Sequence, residues 1–332
     1  MQGTSHRTTG GEAGVAENAV WVQALANQQI NPDTRLIGSL VLHRSPRTSD
    51  TATWNDDGDN SSYTLTDAPI PFPSPTTPLS STYIKLVHKA GDASAVWSIG
   101  NNAFCKVKYT YEGVTPESTT LNFVRAQQPS FEIPKVLHHA FGGDRSYLFL
   151  RRVPGRTLDA AWPNLNAYWR RHYVKTVANI CRDMAEWKSR EFGGVGGGNI
   201  PEAYLLKLSS AGEDFSSVNL LAACEEMAMD CSEFVFVHAD LGPGNVIVEE
   251  NEPSSGKVGF IDFEIAGFFP RSWIRTKFRI SGGMDLSHLA AAENPHWWRA
   301  EVQRALGDIG FYDATEGWEE WQEGGRSPEG PV

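Results

Sequence analysis

The chain has 332 residues, a net charge of −11 and an ordinary globular composition. That length holds two modest domains or lobes with a sizeable core. The acidic balance counts against a nucleic-acid partner, because a phosphate backbone needs a basic face, and it is compatible with a cationic small-molecule substrate. No apolar run approaches membrane-spanning length and the first residues lack the apolar core of a secretion signal, so a cytoplasmic protein without membrane contact is expected. Cys105, Cys181, Cys224 and Cys231 form no Cys-x-x-Cys pair and read as free thiols of a reducing compartment.

In chain order, residues 1–80 read as an N-terminal extension that is largely disordered or linker. Residues 1–15 are polar and Gly/Thr-rich, and 19–42 have some periodicity, for a helix and an extended piece. From 43 to 81 Ser, Thr, Pro, Asp and Asn dominate, as in DDGDNSS and PIPFPSPTTPLSS. DDGDNSS lacks the bidentate Glu of a calcium loop and reads as an acidic turn. Order resumes near Tyr83. YIKLVHK, AVWSIG and AFCKVKYTY read as strands, EGVTPESTTLNFVRAQ as a helix with Pro116 in its first turn, and KVLHHAF and SYLFLRRV as two further strands. This strand-rich run with one inserted helix makes a small lobe over 81–153.

After Pro154-Gly155 the pattern turns helical. Asn166 caps a helix to Arg190 that carries Trp169, Tyr173, Val177, Ile180, Met184 and Trp187 at helical spacing. EFGGVGGGNI breaks it. The glycines invite a phosphate-loop reading, but no Lys-Ser/Thr follows and no strand immediately precedes, so a flexible connector is expected. A helix over 220–229 leads to two short buried strands, FVFV and VIV, and KVGFIDFE is another strand. The remainder is mostly helical, which gives a larger lobe over 154–322 and a flexible acidic tail over 323–332.

Between FVFV and VIV stand His238, Asp240, Pro243 and Asn245. A plain hairpin has no need of a histidine and an aspartate at the exit of a buried strand. Asn245 follows Asp240 by five positions, and Asp262 ends the strand GFIDFE seventeen positions later. Phosphoryl transfer from ATP needs such an Asp/Asn/Asp set. One carboxylate orients or takes the proton of the attacking hydroxyl, while a carboxylate and an amide oxygen hold magnesium. Taken alone, Asp240 and Asn245 also suit an ordinary turn, and Asp262 in order is what tips the balance.

HADLGPGN followed by IDFE resembles the aminoglycoside phosphotransferase and choline kinase-like branch of the protein-kinase-like fold, and in particular its fungal members. IDFEIAGFFPRSW, FCKVK, VTPESTTLNFV and RRVPGRTLDAAW add to the resemblance, which spans residues 83–311. The resemblance implies an α+β bilobal fold, with a small β-rich N-lobe and a larger, mainly helical C-lobe. It implies an ATP- and magnesium-dependent phosphotransferase acting on a hydroxyl of a small molecule. Asp240 would be the catalytic base, and Asn245 and Asp262 the metal ligands. Lys106 would contact the phosphates, with Lys108 as its competitor, and Glu117 would pair with Lys106. The turn with Ser98 and Gly100 would cover the phosphates, and Leu150, Arg151 and Val153 would form the hinge for adenine. His238 would brace the catalytic loop.

The chain departs from the protein-kinase pattern H-R-D and D-F-G at Ala239 and Glu264, and no A-P-E follows. These losses fit a small-molecule kinase better than a protein kinase. Glu264 suits a second ion or a cationic substrate. A non-catalytic kinase-like module that binds nucleotide or a partner is the alternative reading. The bland reading of Trp297-Trp298 is packing.

Overall fold

The structure is a computed structural model that describes residues 29–74, 83–91, 93–208, 212–287 and 294–324. It divides into two compact units, residues 1–110 with 135–152, and residues 111–134 with 153–332. The expected small lobe ran unbroken over 81–153. The observed division instead assigns the helix-bearing stretch 111–134 to the second unit.

Among the described residues, the first unit holds two five-stranded sheets. The second of them contains β6 (Ile84–Ala90), β7 (Ser94–Ile99), β8 (Ala103–Tyr109), β9 (Val136–Gly142) and β10 (Arg145–Arg151), in the order β6-β7-β8-β10-β9. Burial along β7 alternates residue by residue, so Ala95, Trp97 and Ile99 share one face. Cys105 and Val107 of β8 and Tyr147 and Phe149 of β10 lie opposite them in register and continue that apolar face.

The other sheet corrects the expectation for the N-terminal extension. Residues 29–67, taken above as disordered or linker, form β1 (Gln29–Asn31), β2 (Thr34–Ile37), β3 (Leu40–Ser45), β4 (Trp54–Asp56) and β5 (Ser61–Asp67). Their Ile37, Leu40, Leu42, Trp54 and Tyr63 join Ala95, Trp97, Cys105, Val107 and Phe149 in one buried cluster. The extension is therefore the second layer of a sandwich. Its polar composition misleads because the outward-facing residues of a two-layer sheet are polar, and few apolar ones suffice to cover the facing sheet. DDGDNSS lies at the reversal between β4 and β5, with Arg44 bonded to Asp59 at 2.8 Å. Residues 1–28 and 75–82 lie outside the described residues, as does most of the acidic tail.

The second unit contains α1 (Glu117–Ala126), α2 (Leu158–Ala161), α3 (Ala167–Met184), α4 (Ser217–Glu226), α5 (Trp273–Ile280), α6 (Trp297–Asp308) and α7 (Thr315–Gly324). Asn166 caps α3 by accepting the Trp169 N–H at 3.1 Å. The helix ends at Met184, short of Arg190, because Lys188–Ser189 turns into a strand, β12, which pairs with β13 (Phe234–His238). β13 pairs in turn with β16 (Ala266–Pro270). A separate small sheet holds β11 (Arg156–Thr157), β14 (Val246–Val248) and β15 (Gly259–Phe260).

The glycine cluster is a packed turn, not the flexible connector expected. Gly194 N–H donates to Gly198 O at 2.6 Å, and a Cβ on either residue would lie 2.0 or 2.2 Å from Thr115 Oγ1. Glycine is required there by close approach, and no phosphate role is needed to explain it. All four cysteines are free, with Cys105, Cys181 and Cys224 buried. Among the described residues, no helix is long and apolar enough to cross a membrane.

Candidate active site

Every residue of β13 is buried, and the chain leaves it at His238 toward β14. The loop between them is held from several sides. His238 Nε2 meets Ile261 O at 2.9 Å, and its Nδ1 accepts the Asp240 N–H at 3.3 Å. That pattern suits a neutral ring carrying its proton on Nε2, with both ring nitrogens engaged in holding the loop. Ala239 N–H donates to Ile265 O at 3.1 Å, and Asp159 N–H to Pro243 O at 3.0 Å. Trp298 on α6 is fully buried and donates its indole N–H to Leu241 O at 3.3 Å. The tryptophan pair had read as packing, and nothing in its local sequence announced the bond.

Asn245 turns its amide Nδ2 onto Asp240, donating to the backbone O at 2.8 Å and to Oδ2 at 2.9 Å. Both amide hydrogens are thereby engaged with Asp240, and Oδ1 is the remaining acceptor atom of the side chain. Ile261 N–H donates to Asn245 O at 3.0 Å, one step beyond the Val246–Phe260 pair of β14 and β15. Strand pairing thus brings Asn245 beside the residue that precedes Asp262.

Asp262 has left-handed backbone angles, φ 64° and ψ 63°. For a residue with a Cβ this conformation costs on the order of 1 kcal/mol, and such outliers gather at functional sites. Glu117 accepts the Phe263 N–H at 3.0 Å. Carboxylate oxygens of Glu117, Asp262 and Glu264 all lie within 4.8 Å of one another. An oxygen-only donor set of carboxylates fits a hard divalent ion such as magnesium. Burial, reinforced by the negative charge of Asp262, pushes the Asp240 carboxyl up to about 6, against the opposing pull of Lys277. That value suits a group that takes a proton near neutral pH.

The remaining expected residues belong to the first unit, except Val153, which is buried in the second. Lys106 is 8 % exposed and lies on the face of β8 opposite Cys105 and Val107, away from the sandwich core. Lys108 shares that face but is half-buried. Ser98 lies in β7, and Gly100 in the turn that follows it. Ile99 pairs with Ala103, and Ala103 with Arg151, so the 100–102 turn sits at the end of the sheet where β10 exits. The β6–β7 turn at Gly91 occupies the other end, where Ser94 pairs with Lys108. Gly100 is explained by its φ of 58° and by Asp56 Oδ2, which would lie 2.2 Å from an added Cβ. At the hinge, the N–H groups of Arg151 and Arg152 are already bonded, to Lys135 O and Asn102 O at 2.8 Å each.

The sequence profile of the phosphotransferase enzyme family matches residues 103–273, just over half of the chain. Among curated proteins none matches. Solved structures similar to the chain include aminoglycoside phosphotransferase APH(3'')-Id from Streptomyces rimosus, at 17 % identity and TM-score 0.46, covering 72 % of this chain and 91 % of that one. Aminoglycoside-3'-phosphotransferase of type VIII is similar at 20 % identity and TM-score 0.47, covering 74 % and 94 %. Likeness of that degree leaves substrate and cofactor to be argued from this chain's own residues. The match spans β8, the loop with Asp240 and Asn245, and Asp262 itself, and on that ground the chain belongs to the phosphotransferase enzyme family.

Proposed function

We propose that the protein transfers the γ-phosphoryl group of ATP, with magnesium, to a hydroxyl of a small molecule. The observation that carries this reading is the coupled Asp240–Asn245 pair, placed by strand pairing next to the strained Asp262. Asp240 takes the proton of the acceptor hydroxyl, and its raised affinity for protons matches that task near neutral pH. The Asn245 amide fixes the carboxylate's orientation, and His238 holds the backbone beneath it. Asn245 Oδ1 and Asp262 would hold magnesium, with Glu117 and Glu264 in the same oxygen cluster. When bound, the ion supplies neutralising charge for the phosphates.

Lys106, nearly buried on the face turned away from the sandwich core, is the phosphate lysine in this reading, in preference to Lys108. The turn at Gly91 takes the phosphate-covering part first given to Ser98 and Gly100. The backbone from Leu150 to Val153 remains the hinge. The acceptor is a small hydroxylated molecule, and a cationic one suits the net charge of −11.

The test is calorimetric titration of ATP into the full-length protein, with and without magnesium, for wild type and Asp262→Ala. Magnesium-dependent binding that weakens at least about tenfold in the variant is expected, the order of loss for a disrupted metal site. A folded wild type that binds no ATP would refute the proposal.

A further inference from the structure

The N-terminal sheet is more than a cover for the core. Asp56, at the end of β4, is fully buried, and a buried carboxylate is costly unless donors surround it. Here it has them. Its Oδ2 accepts the Asn101 N–H at 2.5 Å, and its Oδ1 accepts Asn101 Nδ2 at 3.3 Å and the Gly58 N–H at 3.1 Å. Bonds to an ionised acceptor are about twice as strong as neutral ones, so the 100–102 turn is tied firmly to a residue 45 positions earlier. The contact is close enough that residue 100 must be glycine. The same turn then holds the hinge backbone, since Asn102 O accepts the Arg152 N–H at 2.8 Å.

We propose that the N-terminal sheet positions the end of the first unit that receives the nucleotide base, with Asp56 as the positioning residue. Its carboxylate fixes the 100–102 turn, and the turn fixes the backbone at Arg151 and Arg152. The assignment rests on the phosphotransferase reading above, which makes that backbone the seat of the base. It gives the extension a part in nucleotide selectivity. Lys106 lies in mid-strand, several residues from the turn, so the phosphate end is not governed by Asp56.

The experiment measures, in full-length protein with magnesium, the affinity for ATP and for tripolyphosphate, which carries the phosphates without a base. Asp56→Ala is expected to weaken ATP about tenfold and to leave tripolyphosphate within about twofold, a loss of the size set by one hydrogen bond to a charged group. Asp56→Asn keeps the volume and one acceptor oxygen. It is expected to show the same selective loss at about threefold should the alanine variant fail to fold. Leu42→Val shortens a core side chain of the same sheet without touching the turn, and is expected to leave both affinities unchanged. Equal loss of the two ligands in the Asp56 variants overturns the proposal, as does unchanged ATP affinity in a folded variant, or an ATP-selective loss in Leu42→Val. A wild type that binds tripolyphosphate and ATP equally well also overturns it, while one that binds neither refutes the phosphotransferase reading on which it rests.

Discussion

Lys277 on α5 and Glu202 form an ion pair in the interior of the second unit, and removing one partner should be severe. The Lys277 Nζ lies 2.5 and 2.6 Å from the two carboxylate oxygens of Glu202, and the side chains are 4 % and 0 % exposed. The ammonium also faces the Tyr204 ring at 4.3 Å. At such a separation, with an effective dielectric of about 20, Coulomb's law gives roughly 6 kcal/mol of attraction. Desolvation of both ions offsets much of it, so the intact pair adds little net stability. Loss of one partner leaves the other charge stranded. Glu202→Gln retains an oxygen for the Tyr204 N–H, now accepted by Oε1 at 3.0 Å, yet strands the ammonium. It should cost about 3–5 kcal/mol, as should Lys277→Met. The double variant Lys277→Met/Glu202→Gln should lie closer to wild type than either single one. Urea unfolding followed by tryptophan fluorescence measures all four proteins, with Trp273 at 6.0 Å from Nζ as a nearby reporter. A cost below about 1 kcal/mol for both single variants would refute the reasoning, since it would mean that water or a shifted proton already relieves the stranded charge.

Two further predictions concern the loop between β13 and β14. The Asp240 carboxyl is raised to about 6, so the folded protein holds that proton more tightly than the unfolded chain does. This contribution favours folding below the unfolded value near 4 and is lost as pH rises through about 6. Asp240→Asn should therefore raise the melting temperature of the metal-free protein at pH 7.5 and not at pH 4, while lowering turnover about 10²–10⁴-fold; a gain independent of pH would contradict it. Trp298→Phe keeps an aromatic ring and removes the donor to Leu241 O. Its kcat should fall several-fold with the ATP KM little changed, as rapid-quench or coupled assays with an accepted substrate would record, whereas a parallel rise in KM would count against a role in the loop alone.

The loop between β13 and β14 was legible as a candidate site because its polar residues are compressed into a few adjacent positions. His238, Asp240 and Asn245 lie on one strand exit, and two short apolar runs mark the strands around them. Asp262 was readable for the same reason, standing two residues beyond the buried strand Gly259–Phe260. The single glycine at position 100 marks a reversal without saying which end of a sheet it closes; the strand register decides that. The extension was misread because sequence composition weighs all residues of a strand, whereas a sandwich layer is held by the inward half. Ile37, Leu40, Leu42, Trp54 and Tyr63 gain their meaning only against a facing sheet.

What the sequence determined by itself is local: the alternation of buried strands, the cap of α3 at Asn166, and the order of Asp240, Asn245 and Asp262. Such features depend on neighbours a few residues away, where backbone geometry alone sets which groups meet. The tertiary structure decided the partners that are far apart in the chain. Glu117 reaches the Phe263 N–H across 146 positions, Lys277 meets Glu202 across 75, and Trp298 meets Leu241 across 57. None of these is encoded by spacing, because each depends on which buried donor finds which buried acceptor once the strands have paired and water has been excluded.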